Sequence, residues 1–419
     1  MCPDTFSQDF CRITRLPNGA RVATEHMPQA KTASLGIWIE AGSRHERPGQ
    51  EGMAHLWEHM AFKGTTSRSA RAIAKELDAL GGLANAYTSR EVTCFHIRVM
   101  DAHFPRAFAV LSDIALHPAL DPRELKREQA VILQEISMIE ETPEDKVNED
   151  FWAAAWDNPD IAHPITGRPE AVAATKPETL AAWRGDHYRP GAMLFVAAGA
   201  VDHDALVELV ARALDHLPPQ PAVLPSPAGA FLAPKLAIRR DCEQHHVVWA
   251  FPSVGNTAPE RFAHAVLATL LGGNMSSRLF QEVREKRGLA YAIDASVNGL
   301  ADTGLIEIQA AVDPGRTGEL LAVVRGELDA LAAGRIQAEE LAHTREHLQG
   351  LLYLGGESTE NRMMRLARNV SLFNRHIPLE ETAAALDAVT LDDLTQAAAA
   401  AFRPDRTGLC ILGPKARIP

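Results

Sequence analysis

"LPPQPAVLPSPAGAFLAP", residues 217–234, decides how the chain is divided. Its prolines and small residues suit an extended connector rather than a helix or a central strand. On both sides of it the same order of elements can be read. Before it, "CRITRL" (11–16) and "ARVATEH" (20–26) alternate around the turn "PNG" and predict a hairpin. "ASLGIWIEAG" (33–42) reads as a third strand. Helical periodicity follows over 52–63 and 68–80, then two strands, "LANAYTS" (83–89) and "VTCFHIRV" (92–99). Helices are predicted at about 103–117, 122–141, 143–156 and 176–187. The strand "AMLFVAAGA" (192–200) and a helix at 203–215 complete the first half.

After the proline-rich segment the series restarts. Strands are predicted at 235–240 and 246–251, helices at 259–271 and 277–286, and strands at 289–297 and 304–312. Long helices and a last strand at 407–412 close the chain. "PRELKREQAVILQEI" (122–136) and "AEELAHTREHLQGLL" (338–352) align as corresponding helices, with Leu125 opposite Leu341. The expected fold class is therefore α+β: two homologous domains from an internal duplication, each a mainly antiparallel sheet packed with helices. The expected boundaries are 1–216, a connector at 217–234, and 235–419.

Composition narrows the function. The chain has 419 residues, 46% of them hydrophobic and 23% charged, the profile of a soluble globular protein. Its net charge of −12 argues against binding nucleic acid or an anionic membrane, since phosphate affinity comes from clustered Lys and Arg. The cysteines, Cys2, Cys11, Cys94, Cys242 and Cys410, are odd in number and widely spaced, so neither a disulfide framework nor a thiolate metal site is indicated. The first residues lack a secretory signal and no apolar run is long enough to span a bilayer. A cytoplasmic location is expected unless a leader has been removed.

The chemistry concentrates in "GMAHLWEHMAFKGT" (52–65). On a helix His55 and His59 stand one turn apart on one face, about 6 Å along the axis, close enough to grip one metal ion. Glu58 lies at the edge of that face, where it can act on a water without being a ligand. Zinc would lower the pKa of such a water toward about 7, and a carboxylate could then accept its proton. The surrounding residues are nearly all apolar, so three polar groups there need a shared partner to offset desolvation. A second match to the spacing, His343, Glu346 and His347, sits among Glu339, Glu340, Arg345 and Gln349. The stripe Leu341–Leu348–Leu352 turns that triplet outward, and it reads as solvated surface.

A hydrolytic zinc usually takes three protein ligands and keeps one open position. The helix at 122–141 carries the stripe Glu128, Ile132, Glu135, Ile139. Two carboxylates among apolar residues are costly unless paired or coordinating a cation. Glu135 as third ligand, with Glu128 orienting a histidine, meets that requirement, although either glutamate alone could be an ordinary surface ion pair.

At these residues the chain resembles the pitrilysin/insulinase family of zinc peptidases, in its short-chain branch with mitochondrial processing peptidase and bacterial relatives. That family carries H-x-x-E-H and, about 76 residues on, a glutamate seven after another; here His59 to Glu135 is 76 and Glu128 to Glu135 is seven. "GGLANAYTSRE", "GGNMSSRLFQEVREKRGLAYAI" and the late "ILGP" fall in family order. The resemblance implies one Zn2+ per chain on His55, His59 and Glu135, Glu58 as general base and Glu128 in support. It implies that Arg284 and Tyr291 engage substrate, that Phe62 lines a subsite, and that Asn85 and Ala86 accept a substrate strand. It further implies that Asp145 and Glu149 receive a basic residue. The second half cannot repeat the metal site, because Leu351 stands opposite Glu135 and helix 259–271 holds only His264.

The function so implied is a zinc metalloendopeptidase acting on peptides or unfolded segments inside a dimeric chamber. A homodimer is expected, with a heterodimer containing a metal-free relative as the other arrangement. The rival reading is a non-catalytic scaffold or partner subunit, against which stands the retention of His55, Glu58, His59, Glu128 and Glu135 together.

Overall fold

A computed structural model describes residues 5–8 and 10–418. Cys2 lies outside the described residues; Cys11, Cys94, Cys242 and Cys410 are free thiols, three of them buried.

The chain forms two compact units. The first contains a seven-stranded sheet of β1 (Thr5–Gln8), β2 (Cys11–Arg15), β3 (Arg21–His26), β4 (Thr32–Ile39), β5 (Leu83–Thr88), β6 (Thr93–Met100) and β7 (Met193–Gly199). Their spatial order is β1-β2-β3-β7-β4-β6-β5. Neighbours run antiparallel except β3 with β7. The last strand, β5, is therefore a sheet edge. Its alternation decides what each side chain can touch. Ala84, Ala86 and Thr88 are half-buried, whereas Leu83, Asn85 and Tyr87 are exposed.

Both faces of this sheet are covered, which explains why its central strands read as nearly unbroken apolar runs. Ala33, Leu35, Ile37, Met193, Phe195 and Ala197 point to one face. There they pack with α1 (Met53–Ala61), α2 (Ala70–Ala79), α3 (Phe104–Leu116) and the first half of α4 (Pro122–Glu141). Trp38, Cys94, Leu194, Val196 and Ala198 point the other way, onto Met363, Leu366, Ala367 and Val370 of helix Thr359–Phe373.

The second unit contains β8 (Lys235–Arg239), β9 (His245–Ser253), β10 (Ala290–Gly299), β11 (Gly304–Val312) and β12 (Gly408–Gly413), ordered β10-β11-β9-β12-β8. Only β8 and β12 pair in parallel. Val247, Trp249 and Phe251 face helix Arg261–Gly272 and its neighbours. Val248, Ala250, Cys410 and Leu412 face Val147, Phe151, Trp152 and Ala155 of α5 (Pro143–Ala155).

The contiguous boundaries expected from sequence need correction. Residues 137–162 pack in the second unit and residues 354–377 in the first, and the division inside the proline-rich segment falls between Ser226 and Pro227. The physical reason is that each sheet must bury two faces, and each second face is covered by a helix from the other half of the chain. Smaller differences are an unpredicted strand, β1, and a π-helix at Phe280–Glu285 within the expected helix 277–286. The connector has no helix or strand beyond Leu214, apart from a bridge between Trp156 and Phe231.

Candidate metal centre

Helix α1 begins where two glycine backbones meet. Gly52 adopts φ +94°, and a Cβ there would approach the Thr166 carbonyl oxygen to 2.8 Å and Gly167 Cα to 2.9 Å. Only glycine tolerates both the left-handed conformation and that contact. Just upstream, Glu46 is buried, and its carboxylate accepts the Gly52 N–H at 2.8 Å and the Ala54 N–H at 2.7 Å. His163 Nε2 lies 2.8 Å from the same carboxylate. Two N–H groups that a helix start leaves without partners are thus satisfied, and negative charge sits at the positive end of the helix dipole. Burial pushes the Glu46 carboxyl up, opposed by His163 and the two N–H donors.

From that anchor α1 sends Met53, Ala54, Leu56, Trp57, Met60 and Ala61 into the core. The 100° turn per residue leaves His55, Glu58 and His59 on the remaining face. Their neighbour is α4, whose Leu125 and Ile132 are buried and hold Glu128 and Glu135 toward α1.

The groups converge. His55 Nε2 lies 3.7 Å and His59 Nε2 3.8 Å from the same oxygen, Glu135 Oε2. The two imidazole rings stand 4.6 Å apart between centroids. All three candidate ligand atoms fall within 4.8 Å of one another, the one such His/Cys/Asp/Glu group of three or more among the described residues. Donors sharing one tetrahedral zinc stand roughly 3.4 Å apart, near the 3.7 and 3.8 Å between each histidine and Glu135.

Hydrogen bonding indicates what the cluster suits. His59 Nδ1 lies 3.1 Å from Glu128 Oε2, and Lys63 Nζ is 2.9 Å from the other Glu128 oxygen. A carboxylate accepts, so His59 Nδ1 donates to Glu128 while its Nε2 faces Glu135. Burial, with the neighbouring His59, pushes the His55 pKa down to about 4, so that ring is neutral near pH 7. The uncharged His55 ring, His59 Nε2 and the Glu135 carboxyl oxygen facing one another form a ligand set completed by a cation. The residues present therefore fit a zinc ion.

Glu58 stands beside this set, outside it. Its Oε2 accepts a 2.6 Å hydrogen bond from Thr88 Oγ1 on β5. Burial raises its pKa, Thr88 and His59 oppose that rise, and Glu135 adds to it. Glu135 is the open side, its side chain 42% exposed, whereas Glu128 is buried.

The other sequence-derived residues fall as follows. Phe62 follows the last turn of α1, half-buried, its ring 6.4 Å from that of Phe95. Asn85 and Ala86 lie on edge strand β5, and Asn85 Oδ1 accepts the Ala86 N–H at 2.9 Å. Asp145, exposed, and Glu149, half-buried, are on α5 in the second unit. Arg284 and Tyr291 come together in that same unit. The Arg284 guanidinium lies 4.7 Å from the Phe280 ring and 4.8 Å from the Tyr291 ring. His343 and Glu346 are exposed, and His264 is buried against Ser253 Oγ at 2.9 Å. Sequence reading missed Glu46, His163, Thr88 and the Lys63–Glu128 pair. Lys63 alone carried a signal, standing one turn beyond His59.

Glu46→Ala is expected to lower unfolding free energy by about 3 kcal/mol, because it removes the acceptor of two buried N–H groups and a partner of His163. Denaturant titration checks this; a change below about 0.5 kcal/mol would show that α1 starts without the anchor.

These features define a class: a two-unit α+β protein with a histidine-rich helix and a glutamate-bearing helix forming one candidate zinc site in the first unit. The chain belongs to the insulinase family, peptidase family M16. That family's description matches residues 21–168, and the description "Peptidase M16 inactive domain" matches residues 175–348. Among similar proteins is one named uncharacterized zinc protease SCO5738, from Streptomyces coelicolor. It is 35% identical, with 96% of this chain and 89% of that one covered. Another, uncharacterized zinc protease YmxG from Bacillus subtilis, is 33% identical over 96% of this chain and 98% of its own. The fold matches a crystal structure described as a protease from Helicobacter pylori, with TM-score 0.90, 20% identity, and 99% and 100% of the two chains covered. Among the described residues no helix is long and apolar enough to cross a membrane.

Proposed function

We propose that the chain is a zinc-dependent endopeptidase acting on peptides or unfolded polypeptide segments, with His55, His59 and Glu135 as ligands and Glu58 as general base. The observation that carries this reading is the convergence of His55 Nε2 and His59 Nε2 on Glu135 Oε2, with Glu58 beside them and outside the set. Zinc, when bound, supplies Lewis acidity that acidifies water and polarises a peptide carbonyl.

The chain's own residues do the rest. Glu128, itself held by Lys63, fixes the His59 ring through Nδ1. Glu58 takes a proton from water at its carboxylate and later gives it to the leaving amine. Its raised pKa suits both roles, since a carboxyl must be able to hold the proton between the two steps. Strand β5 is a sheet edge that accepts a substrate strand near Asn85 and Ala86, with Asn85 Oδ1 giving up the Ala86 N–H it holds, a mode that reads backbone more than sequence. Arg284 and Tyr291 are donors suited to a substrate carbonyl, and Phe62 is an apolar subsite wall. Asp145 and Glu149 are suited to a basic residue of the substrate. Two chains would form the chamber that longer relatives build from one, which restricts substrates to chains without stable folds.

Incubation with a mixed peptide library, reading cut sites by mass, tests this proposal. Cleavage should stop with a chelator and return with added zinc. Cleavage that ignores the chelator, or none from zinc-loaded protein, would overturn the reading. Full activity from a species sedimenting as one chain would remove the chamber from it.

A further inference from the structure

We infer that Thr88 is a positioning residue that ties the substrate-accepting edge to the general base, so that strand β5 aligns Glu58 as well as offering backbone to a substrate. The inference deepens the peptidase reading and rests on it.

The geometry is specific. Thr88 ends β5, and Thr93 of β6 is its partner across the ladder. Its hydroxyl donates to Glu58 Oε2 at 2.6 Å, the short range of a hydrogen bond to a charged acceptor. Among the described residues this is the hydrogen-bond partner that Glu58 has. Tyr188, whose buried ring packs 5.0 Å from that of Trp57, has a hydroxyl with no hydrogen-bond partner and so does not share the task. Glu58 shares the polar face of α1 with His55 and His59, and a free glutamate there would sample several rotamers. A single bond from a rigid strand selects one.

The same residue belongs to the open edge. The Ala86 N–H is taken by its neighbour's side chain, Asn85 Oδ1, and therefore points away from β6. In an antiparallel ladder the direction of N–H and C=O alternates from residue to residue. Ala84, Ala86 and Thr88 thus turn their backbone groups outward, and their side chains toward α1. Thr88 alone among the three carries a hydroxyl. A chain added along β5 would stiffen the strand whose last side chain holds the carboxylate in place. Substrate binding and base alignment would share one element. An edge that is only a docking rail would need no hydroxyl at this position.

The test compares Thr88→Val, which keeps the shape and removes the donor, with Thr88→Ser, which keeps the donor. Each is assayed with a peptide that the wild-type protein cleaves, alongside zinc content and a crystal structure of the zinc-loaded protein. Thr88→Val should lower kcat by about 10- to 100-fold, with KM within about twofold and zinc content unchanged. Its Glu58 carboxylate should leave the position it holds beside Thr88. Thr88→Ser should restore kcat to within about threefold of wild type and return the carboxylate. Unchanged kcat in Thr88→Val, an equal loss in both variants, or lost zinc would each overturn the inference. A Glu58 carboxylate still in place in the Thr88→Val crystal would do the same, whether or not any substrate is cleaved. Absence of cleavage by the wild-type protein would instead count against the peptidase reading, and the crystal comparison would still decide the role of Thr88.

Discussion

Glu58→Gln should abolish peptide cleavage while leaving zinc bound. The amide has nearly the shape of the carboxylate and can still accept from Thr88, so the 2.6 Å contact and the packing of α1 have no reason to change. What it cannot do is take a proton from water. General base catalysis contributes about 10²- to 10⁴-fold, and the same group also serves as the acid in the second step, so a loss at or beyond the upper end is expected. Because Glu58 lies outside the set of His55, His59 and Glu135, metal content should stay near one zinc per chain. Purified Glu58→Gln protein that turns over at more than about a tenth of the wild-type rate would remove Glu58 from the chemistry.

Glu135→Ala should have the opposite signature: activity lost because the ion is lost. Both histidine Nε2 atoms face one Glu135 oxygen, at 3.7 and 3.8 Å, and no other carboxylate completes a group with them among the described residues. Removing it leaves two imidazoles and takes away the one carboxylate of the set that faces the cation. Zinc should then wash out on dialysis. The stabilisation that zinc gives the wild-type protein, about 2.7 kcal/mol at a hundred times its Kd, should disappear as well. Metal analysis paired with thermal melts measures both. A variant that keeps stoichiometric zinc would show that Glu135 is not a ligand.

Parts of this arrangement were legible in sequence because they are local. A four-residue spacing places His55 and His59 on one helical face, and a seven-residue spacing does the same for Glu128 and Glu135. The strands around Leu35 and Phe195 announce themselves by composition. Other parts depend on partners far along the chain. Glu46 meets His163 across 117 positions, and nothing near either residue marks the pairing. Thr88 reaches Glu58 across 30, from a strand whose register a sequence pattern does not fix. The helices Pro143–Ala155 and Thr359–Phe373 are amphipathic enough to be placed as helices. An apolar stripe, however, shows that a helix must bury a face without showing against which sheet. Sequence therefore groups each segment with the half that encodes it, whereas in the structure each packs with the other.

The covering helices bear on what the proline-rich segment allows. A gene split there would yield two polypeptides, each making strands whose inner seal is encoded in the other. Trp38, Cys94, Val196 and Ala198 would meet water in one, and Val248, Ala250, Cys410 and Leu412 in the other. Neither half of the chain alone holds every helix its own sheet must be covered by, so the two halves are useful only as one polypeptide.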